Sequence, residues 1–219
     1  MDVTQAITGR RSIRGFKPEP VSRETLRAVL SLATRAVSAV NAQPWEFSVV
    51  SGQVLEAIRQ DNIASYDRDQ PTDIPDITVD GIYKQRSREI GKALFAAMDI
   101  QRGDTARRRQ WGQRGLRFFD APAVIILCMD QALDNTTFRL DMGCVIQNIC
   151  LAAMEYGLGT CVELQAVLYQ QTLRRHLHIP ESKRIVSGIA IGYPDWDFPA
   201  NQVVSTRVPI DEITAWHGF

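Results

Sequence analysis

The run Pro122-Ala-Val-Ile-Ile-Leu-Cys-Met129 constrains this chain more than any other segment. Eight consecutive residues without a charge or an amide suit a strand covered on both faces, because a strand with one wet face alternates apolar and polar positions. A second apolar strand is expected at Arg184–Tyr193, and shorter ones at Trp45–Val50 and Thr160–Leu164. Covering such strands takes helices, and the rest of the chain supplies them.

Residues 2–9 read as a short helix. Pro18 and Pro20 then break the chain. Ser22 is placed to cap a helix on which Leu26, Val29, Leu30, Ala33 and Val37 recur at helical spacing. Gln53–Gln60 reads as a short amphipathic helix. Residues 63–80, with two prolines and five aspartates, read as an exposed loop. Ile82–Gln101 is helical, with Ile90, Leu94, Phe95 and Met98 on one side, and a further helix covers about Asp104–Phe118. Asp134–Tyr156 is a long, mostly apolar helix, suited to the centre of the fold or to an interface. Gly157-Leu158-Gly159 ends it by C-cap logic. Ala166–Leu177 is a helix stopped by Pro180. About the last 25 residues lack periodicity and read as an arm. Strands and helices mix, with helix in excess, so the fold class is α+β, a sandwich in one domain of residues 1–219.

The charge balance excludes one class of function. Lys plus Arg and Asp plus Glu both number 25. A dedicated nucleic-acid binder draws its affinity from neutralised phosphates and carries a basic excess. All but four of the basic residues are Arg, the side chain suited to fixed bidentate phosphate contacts. Cys128, Cys144, Cys150 and Cys161 lie in apolar stretches without C-x-x-C spacing, as buried free thiols in a reducing compartment do. No basic segment followed by an apolar run opens the chain, and no apolar stretch approaches the ~18 residues of a bilayer span. A cytoplasmic protein with no membrane partner is expected.

Several chemistries have no motif here: there is no P-loop, no G-x-G-x-x-G and no G-x-S-x-G elbow. His176 and His178, two apart on an expected helix, point to different faces, so no metal site is read. Arg107-Arg108-Arg109 reads as a solvated helix face, with a phosphate contact or an NADPH 2′-phosphate contact as the alternative.

Four segments can carry chemistry. In Arg10-Arg11-Ser12-Ile13-Arg14, two guanidiniums and a hydroxyl within three residues can surround a phosphate. Arg14 is placed to reach another part of the same ligand. Ser38-Ala39-Val40-Asn41-Ala42-Gln43-Pro44-Trp45 joins a helix to a strand through polar groups. Gly157–Gln165 takes a strand into a helix start, which leaves backbone N–H groups free at about Val162, Glu163, Leu164 and Gln165. Ile189–Pro194 is followed on the arm by Ser205-Thr206-Arg207-Val208-Pro209.

In this order the segments resemble the FMN-dependent nitroreductase family over almost the whole chain. "RRSIRGFKPEPV", "NAQPWEF", "LDMGCVIQNICLAAMEYGLGTC", "GIAIGYPD" and "STRVPIDEITAWHGF" carry the likeness. "YKQRSREIGKALFAAMDIQRGD" and the "WHGF" ending resemble the nitrobenzoate reductase branch. The resemblance implies a three-layer sandwich with a central, mostly antiparallel sheet flanked by helices, a helical insertion at about 63–118 and a C-terminal arm. It implies FMN held at its phosphate and ribityl chain by Arg10 and Ser12, with Arg11 beside them and Arg14 next to the pyrimidine ring. It implies a homodimer in which Ser38 and Asn41 reach the flavin of the other subunit. Val162–Gln165 would meet the N5 edge through backbone, and Arg207 would add a phosphate contact. Ser205 replaces a common Lys, and Glu163 puts a carboxyl in the N5 segment.

The implied activity is a ping-pong NAD(P)H oxidoreductase. NADH or NADPH donates, the flavin passes two electrons through N5, and a nitroaromatic, quinone or similar small electron-poor acceptor receives them. No residue is assigned as a catalytic acid or base. An ene-reductase, oxidase or dehydrogenase on the same fold is a second reading, and a non-enzymatic phosphate-ligand module a third.

Overall fold

A computed structural model describes residues 1–75 and 77–219. Four strands, β1 (Glu46–Ser51), β2 (Ala123–Asp130), β3 (Gly159–Glu163) and β4 (Lys183–Gly192), form one antiparallel sheet in the order β1-β2-β4-β3. Seven helices are described: α1 (Val3–Gly9), α2 (Arg23–Ala33), α3 (Gly52–Asp67), α4 (Gly81–Ala97), α5 (Thr105–Leu116), α6 (Thr136–Glu155) and α7 (Gln170–Leu177).

The apolar run accounts for the layering. Alternate side chains of a strand point to opposite faces. Val124, Ile126 and Cys128 of β2 enter one core with Leu55 and Ile58 of α3, Leu173 of α7, and Phe118 and Phe119. Ala123, Ile125, Leu127 and Met129 enter a second core with Leu26 and Val29 of α2 and Met142, Val145 and Ile149 of α6. The result is the expected three-layer α+β sandwich. Pairing runs Glu46↔Cys128 to Ser51↔Ala123, Ala123↔Ile191 onward with a shift at Leu127/Cys128, and Gly159↔Gly192 to Glu163↔Gly188.

Four element boundaries depart from expectation. α3 runs on to Asp67, so 63–67 are helical rather than loop, and residue 76 of that expected loop lies outside the described residues. Asn62 and Ser65 occupy its buried face, and Asn62 donates to the Leu116 carbonyl at 3.0 Å. Polar residues on the inner stripe hid the helical period. α2 stops at Ala33, leaving Val37 in the following turn, 74% exposed. α4 stops at Ala97, before a left-handed Asp99 (φ 50°). The expected helix Ala166–Leu177 is divided into a 3-10 turn at Gln165–Val167 and α7. The turn presses Ala166 onto the sheet at Gly188, where an added Cβ would lie 2.5 Å from the Ala166 Cβ.

The end of α6 aims the chain at the sheet edge. Gly157 takes a left-handed φ of 68°, its N–H bonds Met154, and the Leu158 N–H bonds Ala153 at 3.0 Å. This is a Schellman stop, and it turns the chain into β3.

Candidate active site

Arg10 caps the C-terminus of α1, and the chain leaves it extended. Residues 12–16 then run beside β3 and the end of β4. The Ile13 N–H donates to the Thr160 carbonyl at 2.9 Å, Ser12 bridges Thr160 in parallel, and Phe16 bridges Pro194. The approach depends on Gly159, where a Cβ would lie 2.5 Å from Ile13 Cγ1 and 2.8 Å from Pro194 Cγ. Ile13 is buried, which fixes the segment's orientation. Alternation then sends Ser12 and Arg14 to one side and Arg11 and Ile13 to the other. Ser12 meets the thiol of Cys161, and the Arg14 guanidinium lies 5.9 Å from the Phe119 ring centroid. Ile13 lines a small cavity with Cys150, Met154 and Leu158, and Arg11 stacks on Trp196 at 5.5 Å.

The five residues therefore differ in how far they are engaged. Arg11 also donates to the Asn201 carbonyl at 3.5 Å. Arg14 donates to the Ser12 carbonyl at 3.4 Å. The Arg10 guanidinium has no hydrogen bond or ion pair among the described residues, so it is the cation left to meet a ligand.

Two residues that sequence reasoning missed hold this segment. Asn201, fully buried on the arm, accepts from the Arg14 N–H at 2.6 Å and the Gly15 N–H at 3.2 Å, and donates to the carbonyls of Gly15 and Asp195 at 2.7 Å. Arg114 of α5 donates to the Arg14 carbonyl at 3.2 Å, pairs with Asp120 at 3.1 Å and stacks on Phe198 at 4.8 Å. Asn201 lies where the sequence has no period, and no local signal marks it.

β3 brings the third segment alongside. Val162 faces outward, 41% exposed, while Cys161 and Glu163 point into the core. The Leu164 and Gln165 N–H groups have no acceptor among the hydrogen bonds of the described residues, as expected of a strand running into a helical turn. The Gln165 side chain lies against Gly115 of α5, where an added Cβ would push its amide aside. Both Glu163 carboxyl oxygens are buried without a partner. Burial pushes this carboxyl well above the usual carboxylate range, with Arg14 only partly opposing it, so the neutral acid is favoured. Burial likewise pushes the Cys161 thiol up to about 12 and that of Cys128 to about 11, which excludes both as thiolate nucleophiles at neutral pH.

The remaining expected site residues lie elsewhere. Ser38 and Asn41 occupy a 3-10 turn between α2 and β1, where Val40 (φ 47°), Asn41 (φ 58°) and Gln43 (φ 47°) are all left-handed. β1 and β3 are opposite edges of the sheet, three strand spacings or about 14 Å apart. α6 offers a second ruler: Asp141 holds the turn, and Arg10 lies near Cys150 nine residues on, about 14 Å along the helix. One chain thus carries the Arg10–Arg14 segment and the Ser38–Asn41 turn at separate places. Arg207 lies in a cleft between the arm and α4 of about 630 Å³, and bonds Ser205 and Thr206. No hydrogen bond or ion pair of the described residues joins it to Arg10.

Arg107–Arg109 are not a free cationic run. Arg107 bonds the Met98 and Asp99 carbonyls, Arg108 stacks on Phe95, and Arg109 pairs with Asp67 at 2.9 Å. His176 bonds Asp61 of α3 at 2.7 Å, and His178 is the left-handed cap of α7. No described helix is long and apolar enough to cross a membrane.

Comparison with known proteins gives one consistent result. The sequence profile of the nitroreductase family matches residues 7–193. Nitrobenzene nitroreductase of Ectopseudomonas oleovorans is 33% identical over 220 residues, covering 98% of this chain and 96% of the relative. The 4-nitrobenzoate reductase of Pseudomonas putida is 29% identical, covering 100% and 96%. The crystal structure of the FMN and NADPH-dependent nitroreductase NfnB from Sphigopyxis sp. strain HMH superposes with a TM-score of 0.94 at 32% identity, covering all of both chains. FMN-dependent NfnB from Mycobacterium smegmatis, solved in complex with NADPH, gives 0.92 at 30% identity, covering 98% and 97%.

Proposed function

Because this chain belongs to the nitroreductase family, we propose that it is an FMN-dependent NAD(P)H oxidoreductase that reduces a nitroaromatic or a similarly electron-poor small molecule. The carrying observation is the Arg10–Gln165 surface: an unengaged guanidinium, a serine hydroxyl, a second cation at Arg14 and two unpaired backbone N–H groups, assembled along one strand. That donor set fits a phosphate at one end and an electron-rich ring at the other. The relatives named for nitrobenzene, nitrobenzoate and NADPH support the donor and acceptor classes.

Bound, FMN supplies reversible two-electron exchange, which no side chain here can. The chain's own groups orient and polarise. Arg10 and Ser12 hold the phosphate and ribityl chain. Arg11, tied to Trp196 and Asn201, fixes the segment rather than the ligand. Arg14 would supply positive charge on the pyrimidine side of the bound cofactor. Its field is undiminished while Glu163 stays neutral. The Leu164 and Gln165 N–H groups, with Val162 and Glu163 leading into them, would meet the N5 edge of a bound flavin. Arg207 adds a cation from the arm.

A second copy of the chain completes the site. The Ser38–Asn41 turn lies at the opposite edge of the sheet from its own Arg10 and is exposed, which supports the reading that it serves the partner's site.

The test is an absorbance spectrum of the purified protein followed by anaerobic titration with NADH and with NADPH. A flavin spectrum that bleaches with either nucleotide and recovers on adding a nitroaromatic is expected. A colourless protein that takes up no FMN refutes the cofactor. A flavin that an organic substrate bleaches while neither nucleotide does refutes the reductase direction.

A further inference from the structure

The turn between α2 and β1 is strained in a particular way. Val40 adopts φ 47°, ψ 25°, a left-handed conformation that is a true outlier for a β-branched residue. Its side chain is 94% exposed, so no burial of Val40 offsets the strain. Such strain persists only where surrounding structure over-determines it.

α6 supplies that determination. Asp141 is buried, 4% exposed, and its Oδ2 accepts the Ala39 N–H at 3.1 Å. Seven residues on, Asn148 donates to the Ala33 carbonyl at 3.3 Å, at the last residue of α2. Residues seven apart share a helix face, and between them that face carries Met142 and Val145 of the second core. α6 thus grips the chain where it leaves α2 and again where the strained turn begins. Beyond Asp141 the turn closes on itself: the Asn41 N–H bonds the Ser38 carbonyl, Ala42 bonds Ala39, and Gln43 bonds Ser38 Oγ.

We infer that Asp141 is a positioning residue, which holds Val40 in its left-handed conformation and so sets Ser38 and Asn41 in place for the flavin of a second chain. The inference rests on the function proposed above. It adds a residue that touches neither cofactor nor substrate. A buried carboxylate on one backbone N–H is a charge-assisted bond, the kind able to offset backbone strain. In its absence the relaxed Val40 swings Ser38 and Asn41 away.

A cycle of Asp141→Ala, Val40→Gly and the double variant separates positioning from general stabilisation. Glycine takes left-handed φ without strain, so the turn needs Asp141 less once Val40 is replaced. FMN affinity is read by flavin fluorescence on dialysed, reloaded protein. Asp141→Ala is expected to weaken it about tenfold or more in the wild-type background, the size of a lost hydrogen bond to a charged group, and under about threefold in the Val40→Gly background. Hydrogen exchange supplies a readout independent of flavin. In Asp141→Ala the amides of Asn41, Ala42 and Gln43 lose protection, and Val40→Gly restores it, while Ala39 stays unprotected in both.

Equal loss of affinity in both backgrounds overturns the inference, as does unchanged affinity in Asp141→Ala. Lost protection without lost affinity leaves Asp141 holding the turn but removes the turn from the flavin site. Wild-type protein that binds no FMN defeats the functional reading itself, and exchange alone then decides whether Asp141 holds the turn. Should Asp141→Ala not fold, Asp141→Asn keeps the acceptor without the charge, and the same rescue by Val40→Gly is required of it.

Discussion

Replacing Glu163 by Gln removes an ionisable group of unusual surroundings while keeping its volume. Both carboxyl oxygens are buried and unpartnered. Burial raises the folded-state value well above the 4.5 of an ordinary glutamate, and Arg14 only partly offsets it. Between the ordinary value and the raised one, the folded protein keeps a proton that the unfolded chain has released. Stability then falls as pH rises, because the folded state binds more protons. The slope approaches about 1.4 kcal/mol per pH unit, beginning at 4.5 and flattening above the raised folded value. The Glu163→Gln variant has no such slope. Its amide is as unpartnered as the acid, so a constant offset between the two proteins is uninformative and the slope is the test. For a chain of this size, each kcal/mol moves Tm by about 2–4 °C. The variant should therefore gain on the wild type by about 3–6 °C per pH unit upward from pH 5. Thermal melts at pH 5, 6 and 7 measure this, with protein and FMN concentrations held fixed because both shift Tm by mass action. Wild-type and variant curves that run parallel across this range would show that Glu163 ionises normally, and that a buried carboxylate opposes the Arg14 field.

Asn201→Ala strips paired groups from Arg14, Gly15 and Asp195, and should cost about 3 kcal/mol, or roughly 6–12 °C in Tm, with FMN retention falling in parallel; a melt within 2 °C of wild type (about the shift of 1 kcal/mol or less) contradicts the clamp. Gly159→Ala drives a Cβ onto the buried Ile13 at 2.5 Å and should cost about 1–3 kcal/mol by overpacking, read by denaturant unfolding, with weaker FMN binding because Ser12 moves with Ile13. Asp61 is held below its ordinary 3.8, first by its hydrogen bond from His176 and then by that from Arg175. A depressed carboxyl stabilises above its unfolded value and stops doing so as pH falls through its folded one. Asp61→Asn should cost under about 1 kcal/mol at pH 6, as partly exposed pairs do, and nothing in acid below the depressed value; a deficit that persists there locates the effect outside the ion pair.

The secondary elements were mostly legible because burial imposes its period on the chain. The apolar run of β2 and the stripe of α2 follow directly from which side chains must leave water. Reading failed where polar residues stood on inner faces, as Asn62 and Ser65 do in α3. It failed again where the sheet rather than the helical period set the conformation, as at Ala166 over Gly188. The Arg10–Arg14 segment and the Leu164–Gln165 amides are proposed as site groups from residue type, strand-to-helix logic and family likeness.

What the sequence determined by itself is therefore the chemistry on offer: an arginine pair with a serine, a strand that ends in free amides, and enough apolar surface for two cores. Its local patterns state what each segment can bond and which side it buries. Only the tertiary structure decided how those groups are shared out. It tied Arg11 to Trp196 and Asn201 and left Arg10 unengaged. It buried Glu163 without a partner, and set the Ser38–Asn41 turn at the opposite edge of the sheet from Arg10. Those outcomes depend on contacts between residues more than a hundred positions apart, such as Ala39 with Asp141 or Arg14 with Asn201. Their strength comes from burial and geometry that exist only once the sheet has formed, and no local pattern carries them.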